Sequence, residues 1–195
     1  MFKQHQPIIE KYARQNPDNL EKVLVFVLTT IQKRLSTCVA QRKQINILGV
    51  NSVCLNGRKQ RTYKEIVATK AYLYDKIFSD DISNAEKLLE ITSIYGIGTV
   101  KAGFIMQLCL GEIGCLDVHN LKRFGLSPNV FKVSDKMPQA TAIRKANFYI
   151  KTCEDLGGCE YLWDSWCQYL AEIYPNIYTD ANDVSDLHVN CIIKQ

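Results

Sequence analysis

Apolar side chains recur every three or four residues along most of the chain, which is the spacing of amphipathic helices. Between residues 36 and 61 asparagines and glycines interrupt this pattern. In that segment Ile45, Ile47, Val53 and Leu55 predict short strands. Elsewhere the pattern predicts helices over about 6–15, 20–35, 62–78, 80–90, 99–110, 139–154, 160–174 and 183–193, so the predicted fold class is all-α.

Capping residues mark two of the predicted helix starts. In Asn16-Pro17-Asp18 the proline suits a first helical turn, and the aspartate favours its positive end. Ser83 and Glu86 stand three residues apart, which is the spacing of a capping box. Both sites therefore predict where a helix begins.

The segment 160–174 carries four apolar side chains at helical spacing: Leu162, Trp166, Leu170 and Ile173. Together they predict one buried stripe. A tryptophan in such a stripe is typical of a protein core, so we expect Trp166 to pack inside the protein rather than to hold a cofactor.

Composition and charge narrow the class of protein without naming a partner. The 195 residues are 47% hydrophobic and 23% charged, as in an ordinary globular protein, and the net charge is +4. No apolar run approaches the roughly 20 residues that a membrane-spanning helix needs. We therefore expect a soluble, intracellular, monomeric protein with a single domain over residues 1–195.

The cysteines argue against a metal centre. None of them has the Cys-x-x-Cys spacing typical of zinc or iron–sulfur sites, so we expect reduced thiols and no metal or other cofactor. Cys153, Cys159 and Cys167 have the best spacing for a metal, but no fourth ligand accompanies them. The eight cysteines are Cys38, Cys54, Cys109, Cys115, Cys153, Cys159, Cys167 and Cys191.

Residues 88–126 carry the most specific chemical signal. A turn with the sequence Gly96-Ile97-Gly98 separates two predicted helices, and both glycines are expected at positive φ. Ile97 should fill the gap between the helices. Backbone amides from Thr99 onward would point outward at a positive helix end, which suits a phosphate. This pattern predicts a helix-hairpin-helix that binds nucleic-acid backbone without reading sequence.

A second motif, Leu116-Asp117-Val118-His119, follows the hairpin by about 20 residues. An aspartate at the start of a helix commonly serves as its N-cap and nothing more. Together, however, the two motifs resemble the helix-hairpin-helix DNA glycosylases of the endonuclease III superfamily, in which a glycine hairpin leads to an aspartate-histidine box. The resemblance is specific over residues 88–126, about a fifth of the chain.

The resemblance implies a two-lobed all-α glycosylase-like fold, with the helix-hairpin-helix at about 84–110 and a catalytic loop and helix at about 111–125. It implies a DNA N-glycosylase with Asp117 as the catalytic residue. Such a carboxylate stabilises the oxocarbenium-like sugar and activates the attacking water. The base must first rotate out of the duplex. The implied partner is double-stranded DNA that contains a damaged or modified base.

Two features depart from the family's pattern. Relatives that also cut the strand carry a lysine two residues after the second hairpin glycine, where this chain has Val100. Lys101 comes one residue later, about 100° around the helix, so we expect it to meet phosphate or solvent. Water is then the nucleophile, although a shifted backbone would let Lys101 act as a catalytic lysine and cleave the strand. The cysteine cluster of many relatives is also missing.

Further side chains are expected at the DNA. His119 orients the site or contacts phosphate, and it is interpreted equally well as a structural histidine at a helix start. Lys122 and Arg123 either reach the DNA backbone or form a solvated basic pair. Gln32 loosely resembles the glutamine with which relatives fill the hole left by the flipped base. The predicted DNA-binding residues are Gly96, Ile97, Gly98, Thr99, Lys101, His119, Lys122, Arg123 and Gln32.

Two other functions remain open at this point. One is a non-catalytic module that binds DNA through the hairpin, and the other is a glycosylase-fold enzyme of phage DNA base hypermodification. These functions place the protein in the cytoplasm or nucleoid, or in an infected host cell. Tyr72, Tyr74, Tyr149 and Trp163 are unranked candidates for the wall of a base pocket.

Overall fold

The computed structural model describes residues 1–31, 33, 35–134 and 136–194, and over these residues the chain forms helices and no β-strand. The predicted all-α class is confirmed. Short 3-10 turns lie at Leu35–Thr37, Gly49–Asn51 and Pro128–Phe131. The α-helices are α1 (Phe2–Ala13), α2 (Pro17–Thr30), α3 (Cys38–Leu48), α4 (Gly57–Ile77), α5 (Asn84–Thr92), α6 (Thr99–Leu110), α7 (Val118–Arg123), α8 (Gln139–Asp155), α9 (Gly158–Ile173) and α10 (Ala181–Ile192).

Helices α2 and α6 are the most deeply buried. Residues 23–29 of α2 are all buried, and in α6 only Val100 and Lys101 keep partial exposure. Helices that are apolar on all sides must be surrounded by others. Accordingly, α2 packs against α1, α4 and α6, and α6 also packs against α1 and α5. Buried side chains from α1 to α10 join one hydrophobic cluster.

Both predicted capping sites are confirmed. Asn16 precedes α2, and its side chain accepts the N–H of Asn19 at 2.9 Å. Ser83 precedes α5, and with Glu86 it forms a capping box in which each side chain bonds to the other residue's backbone. Each helix described within these residues is too short or too polar to span a lipid bilayer.

The prediction of short strands is wrong, because Ile45 and Ile47 lie in α3 and Val53 and Leu55 lie in the loop that precedes α4. Cys38, Arg42 and Ile45 are buried at helical spacing, whereas Ile47 is 80% exposed. Arg42 interrupts the apolar stripe in the sequence. Its guanidinium lies inside the core, where Nε donates to the carbonyl oxygen of Cys191 in α10. A buried cation therefore concealed the helical period.

Helix α4 begins at Gly57, before the predicted start at 62, because the side chain of Asn56 caps it by accepting the N–H of Lys59 at 3.0 Å. The basic residues at 58, 59 and 61 therefore lie on a helix. Lys59 is buried, and its Nζ donates to the carbonyl oxygen of Thr29 near the end of α2. Burial lowers the pKa of Lys59. Helix α2 ends at Thr30 rather than at the predicted residue 35.

Candidate active site

The two glycines in the turn between α5 and α6 differ in backbone conformation and in the space around them. Gly96 has a φ of 82°, and a Cβ there would lie 2.8 Å from Oγ1 of Thr62 on α4. Gly98 has a φ of −93°, so the expectation of positive φ is wrong for this residue. No atom would lie within 4 Å of a Cβ at Gly98. Ile97 between them is 4% exposed and belongs to the hydrophobic core.

The start of α6 exposes backbone rather than side chains. No side chain caps the helix at Gly98. Thr99 turns inward, where its Oγ1 donates to the carbonyl oxygen of Phe131 at 2.8 Å. Glu65 of α4 holds the turn by accepting the N–H of Tyr95 at 3.1 Å. Because the first N–H groups of a helix have no partner within it, this end of α6 can receive an anion.

Asp117 is the N-cap of α7, and three N–H donors hold its carboxylate. Oδ1 accepts the backbone N–H groups of His119 at 3.0 Å and Asn120 at 2.9 Å. Oδ2 accepts the indole N–H of Trp166 at 2.9 Å. Capping explains the contacts of Oδ1 alone. The tryptophan contact instead fixes the rotation of the whole carboxylate.

Buried polar contacts fix the loop that leads to Asp117. The hydroxyl of Tyr149 on α8 donates to the carbonyl oxygen of Gly114 and accepts the N–H of Leu116, both at 3.1 Å. Nδ2 of Asn120 donates to the carbonyl oxygen of Cys115 at 2.8 Å. Gly103 of α6 leaves space for this side chain, since a Cβ there would overlap the Tyr149 hydroxyl. Three helices thus determine where the carboxylate lies.

Asp117 lines a cavity of about 920 Å³, whose walls come from the end of α2 and from α6, α7, α9 and α10. This volume is in the range of sites that bind small molecules. The wall is mostly apolar and includes the aromatic side chains of Phe104, Trp163, Trp166 and Tyr178. Such a cavity can enclose a flat aromatic ligand beside a fixed carboxylate.

Lys101 faces this cavity. It is half-buried, and its Nζ donates to Oγ1 of Thr30 at 3.1 Å. Val100, which precedes Lys101 in the first turn of α6, lines the cavity too. The first turn of α6 borders the cavity, so both residues reach it despite their different directions on the helix.

Trp166 differs from its prediction, because it lines the cavity instead of packing fully in the core. On the same stripe Leu162 and Leu170 are buried, but Ile173 is 39% exposed. Sequence spacing placed all four residues near one face of α9. It could not show that this face passes from the core to the edge of an open cavity.

Three more of the predicted DNA contacts lie on α7. His119 lines the cavity, and its ring lies 5.4 Å from that of Tyr169. Lys122 is exposed and also borders the cavity. Arg123 is exposed, and its Nη2 donates to the Tyr161 hydroxyl at 3.2 Å. Gln32 lies outside the described residues.

The four candidate pocket aromatics have different positions. Trp163 lines the cavity. Tyr149 is buried and supports the loop before Asp117. Tyr72 donates to Glu90, and Tyr74 donates to the carbonyl oxygen of Arg14, both away from the cavity wall.

The eight cysteines are reduced thiols, and six of them are buried. Burial raises the pKa of Cys153 and of Cys159 to about 12, so both thiols are protonated at neutral pH. Among the residues that the structure describes, no group of three or more His, Cys, Asp and Glu side chains is arranged to hold a metal ion.

Comparisons with known proteins give no match: no protein-family model, curated protein or solved structure matches this chain. A functional interpretation therefore depends on the chain's own residues and geometry.

Proposed function

We propose that the protein is a monofunctional DNA N-glycosylase, which rotates a damaged or modified base out of duplex DNA and hydrolyses its N-glycosidic bond with Asp117. One observation carries the proposal: a carboxylate held by three N–H donors lines a cavity of about 920 Å³. A carboxylate that serves only as a cap needs no third donor from a distant helix.

The reaction uses Asp117 in two ways. As the C–N bond breaks, its electron pair leaves with the base and the sugar acquires oxocarbenium character, which the adjacent negative charge stabilises. Water then adds to the anomeric carbon, and the Asp117 carboxylate accepts the proton that the water loses. Because the protein fixes the carboxylate beforehand, little reorganisation is needed during the reaction.

The cavity and the hairpin supply the remaining functions. Aromatic side chains, among them Phe104 and Trp166, offer an apolar enclosure for the everted base. The exposed backbone at Gly98 and the start of α6 binds a phosphate of the duplex. Lys122 and Arg123, which are both exposed on α7, add positive charge along the DNA backbone.

Lys101 has a supporting role in this proposal. Its ammonium group donates to Thr30 inside the cavity, where it attracts a phosphate of the flipped nucleotide. Water remains the nucleophile. Attack by Lys101 itself, which would form a Schiff base and lead to strand cleavage, is the competing chemistry at the same site.

An excision assay tests the proposal. Duplexes that each contain uracil, an alkylated base, an oxidised base or a hypermodified base are incubated with the protein and treated with alkali, which cuts at abasic sites. We expect cleavage of at least one duplex after treatment with the wild type. Cleavage of only the hypermodified duplex would indicate that the protein acts in DNA base hypermodification. Salt-sensitive DNA binding without any cleavage would indicate a non-catalytic DNA-binding module.

A further inference from the structure

A buried histidine on the cavity wall has an unused hydrogen-bonding atom. His188 of α10 is 0% exposed and lines the same cavity as Asp117. Its Nδ1 lies 3.2 Å from the carbonyl oxygens of both Val184 and Ser185. Within the described part of the chain, its Nε2 has no hydrogen-bond partner. Buried polar atoms are rarely left unpaired, so this nitrogen requires an explanation.

The contacts of Nδ1 determine what Nε2 can do. Carbonyl oxygens only accept hydrogen bonds, so Nδ1 carries the proton and Nε2 presents a lone pair. Burial lowers the pKa of His188 to about 4, so the ring is neutral at physiological pH. Nε2 is therefore an acceptor. It also lies on the side of the ring opposite the bond to Cβ, and so away from the backbone of α10.

The neighbours of His188 do not satisfy this acceptor. Four aromatic rings surround it, those of Phe26, Phe104, Trp163 and Trp166, with ring centroids 4.5 to 5.8 Å away. The two indole N–H groups among them are already used. Trp163 donates to the Ser185 hydroxyl at 3.0 Å, and Trp166 donates to Asp117.

We propose that Nε2 of His188 accepts a hydrogen bond from an N–H group on the everted base, and that it restricts the substrates to bases that carry such a donor. This inference rests on the proposed glycosylase function. His188 would then determine specificity, whereas Asp117 performs the chemistry. The substrate class is a nucleobase with a ring N–H or an exocyclic amino group on the edge distant from its sugar.

Trp166 contacts both Asp117 and His188. Its N–H bonds to Asp117, and its ring centroid lies 5.6 Å from that of His188. A base that lies along this indole has its sugar next to Asp117 and its far edge next to His188. Because the surrounding wall is mostly apolar, a single directed acceptor has a large influence on which bases are held.

Histidine-selective ¹⁵N NMR of the full chain tests the inference without requiring catalysis. The probes are two pairs of bases that carry a methyl group in place of the sugar and differ in the donor: 1-methyluracil with 1,3-dimethyluracil, and 9-methyladenine with 9-methylpurine. We expect 1-methyluracil or 9-methyladenine to shift the Nε2 resonance of His188 in the direction of an accepted hydrogen bond, and the two donor-free bases to leave it in place. Equal shifts within a pair, or no shift with either donor-bearing base, would overturn the inference.

Excision kinetics separate this inference from the proposed function. His188→Phe keeps a ring of similar shape and removes the acceptor, so it should reduce the preference for a donor-bearing base over its N-methylated counterpart about tenfold, the worth of one hydrogen bond. An unchanged preference for the donor-bearing base would overturn the inference about His188 without affecting the proposed glycosylase function. If the NMR signal responds to the donor-bearing bases but the protein excises no base, the proposed glycosylase function is refuted and base binding at His188 is not. If His188→Phe does not fold, the wild-type NMR result decides.

Discussion

Trp166 donates its indole N–H to Oδ2 of Asp117 across 2.9 Å, which links α9 to the N-terminus of α7. The two residues are 49 positions apart in the sequence. Since backbone N–H groups already occupy Oδ1, the carboxylate is held at both oxygens. A charge fixed in this way stabilises a developing positive charge better than one that must reorient.

Removal of this donor should slow the chemistry without weakening DNA binding. Trp166→Phe keeps an aromatic ring and loses the N–H. Hydrogen bonds to charged groups contribute about 1.5–3 kcal/mol, so the single-turnover excision rate should fall about 10- to 100-fold. Tyr72→Phe is a suitable control, because it removes another hydrogen bond to a carboxylate, that of Glu90, outside the cavity wall. A wild-type rate in Trp166→Phe would show that the contact is only structural.

The two hairpin glycines should respond differently to alanine. Gly96→Ala combines a φ of 82° with a Cβ 2.8 Å from Thr62, so it should lower the free energy of unfolding by about 1–2 kcal/mol. Gly98→Ala meets neither obstacle and should change stability by less than about 1 kcal/mol. Urea unfolding of both variants measures this difference.

Gly98→Ala should nevertheless weaken duplex binding, by about tenfold at low salt. The added methyl group would occupy the open space through which a phosphate approaches the first turn of α6. Fluorescence anisotropy with a labelled duplex at several salt concentrations measures the effect. If this variant folds and binds DNA as the wild type does, the hairpin does not hold the DNA.

Lys101 should not form a covalent bond to DNA. Its Nζ is already engaged by Thr30, and water is the proposed nucleophile. Incubation with an abasic-site duplex and borohydride should therefore yield no trapped protein–DNA adduct on a denaturing gel. An adduct that disappears in Lys101→Arg, and persists in the exposed-lysine control Lys64→Arg, would assign Lys101 as the nucleophile.

His188 should make the protein less stable in acid. Its pKa is about 4 in the folded state, below the ordinary value of 6.5, because burial disfavours the charged ring. The unfolded chain therefore binds the additional proton, so stability that is fully present above pH 6.5 is lost as the pH falls to 4. The loss amounts to about 3 kcal/mol at pH 4.

Urea unfolding of the wild type and His188→Phe at several pH values isolates this contribution. Groups common to the two proteins contribute to both curves, so the difference between the curves reports His188. The stability of the variant relative to the wild type should increase by about 3 kcal/mol between pH 7 and pH 4. Parallel curves would contradict the neutral, buried state of this histidine.

Local signals in the sequence predicted the helices well, and tertiary contacts account for the errors. Asn16 and Ser83 cap helices through bonds to residues three positions away, so their role is visible in a short window. Arg42 is buried through its contact with α10, about 150 positions later, and no local pattern could have shown that α3 tolerates it.

The same distinction applies to the candidate site. The N-cap role of Asp117 could be predicted from the sequence because it involves only the next three residues. Trp166 and His188 were not identified as parts of the site, and Tyr149 was only an unranked pocket candidate, since their partners or the cavity come from other helices. Helical spacing on α9 gave Trp166 the same weight as Leu162. Both line the cavity, and only the packed structure shows that Leu162 is buried whereas the indole of Trp166 bonds to Asp117.

The most direct test of the central claim compares single-turnover base excision by the wild type and Asp117→Asn on the duplex panel. The asparagine side chain can still cap α7, because its oxygen can accept the N–H groups of His119 and Asn120. We expect the wild type to create abasic sites in at least one duplex, and Asp117→Asn to do so about 100-fold more slowly or not at all with unchanged duplex affinity. Excision by Asp117→Asn at the wild-type rate, or by neither protein, would contradict the claim that this carboxylate cleaves the glycosidic bond.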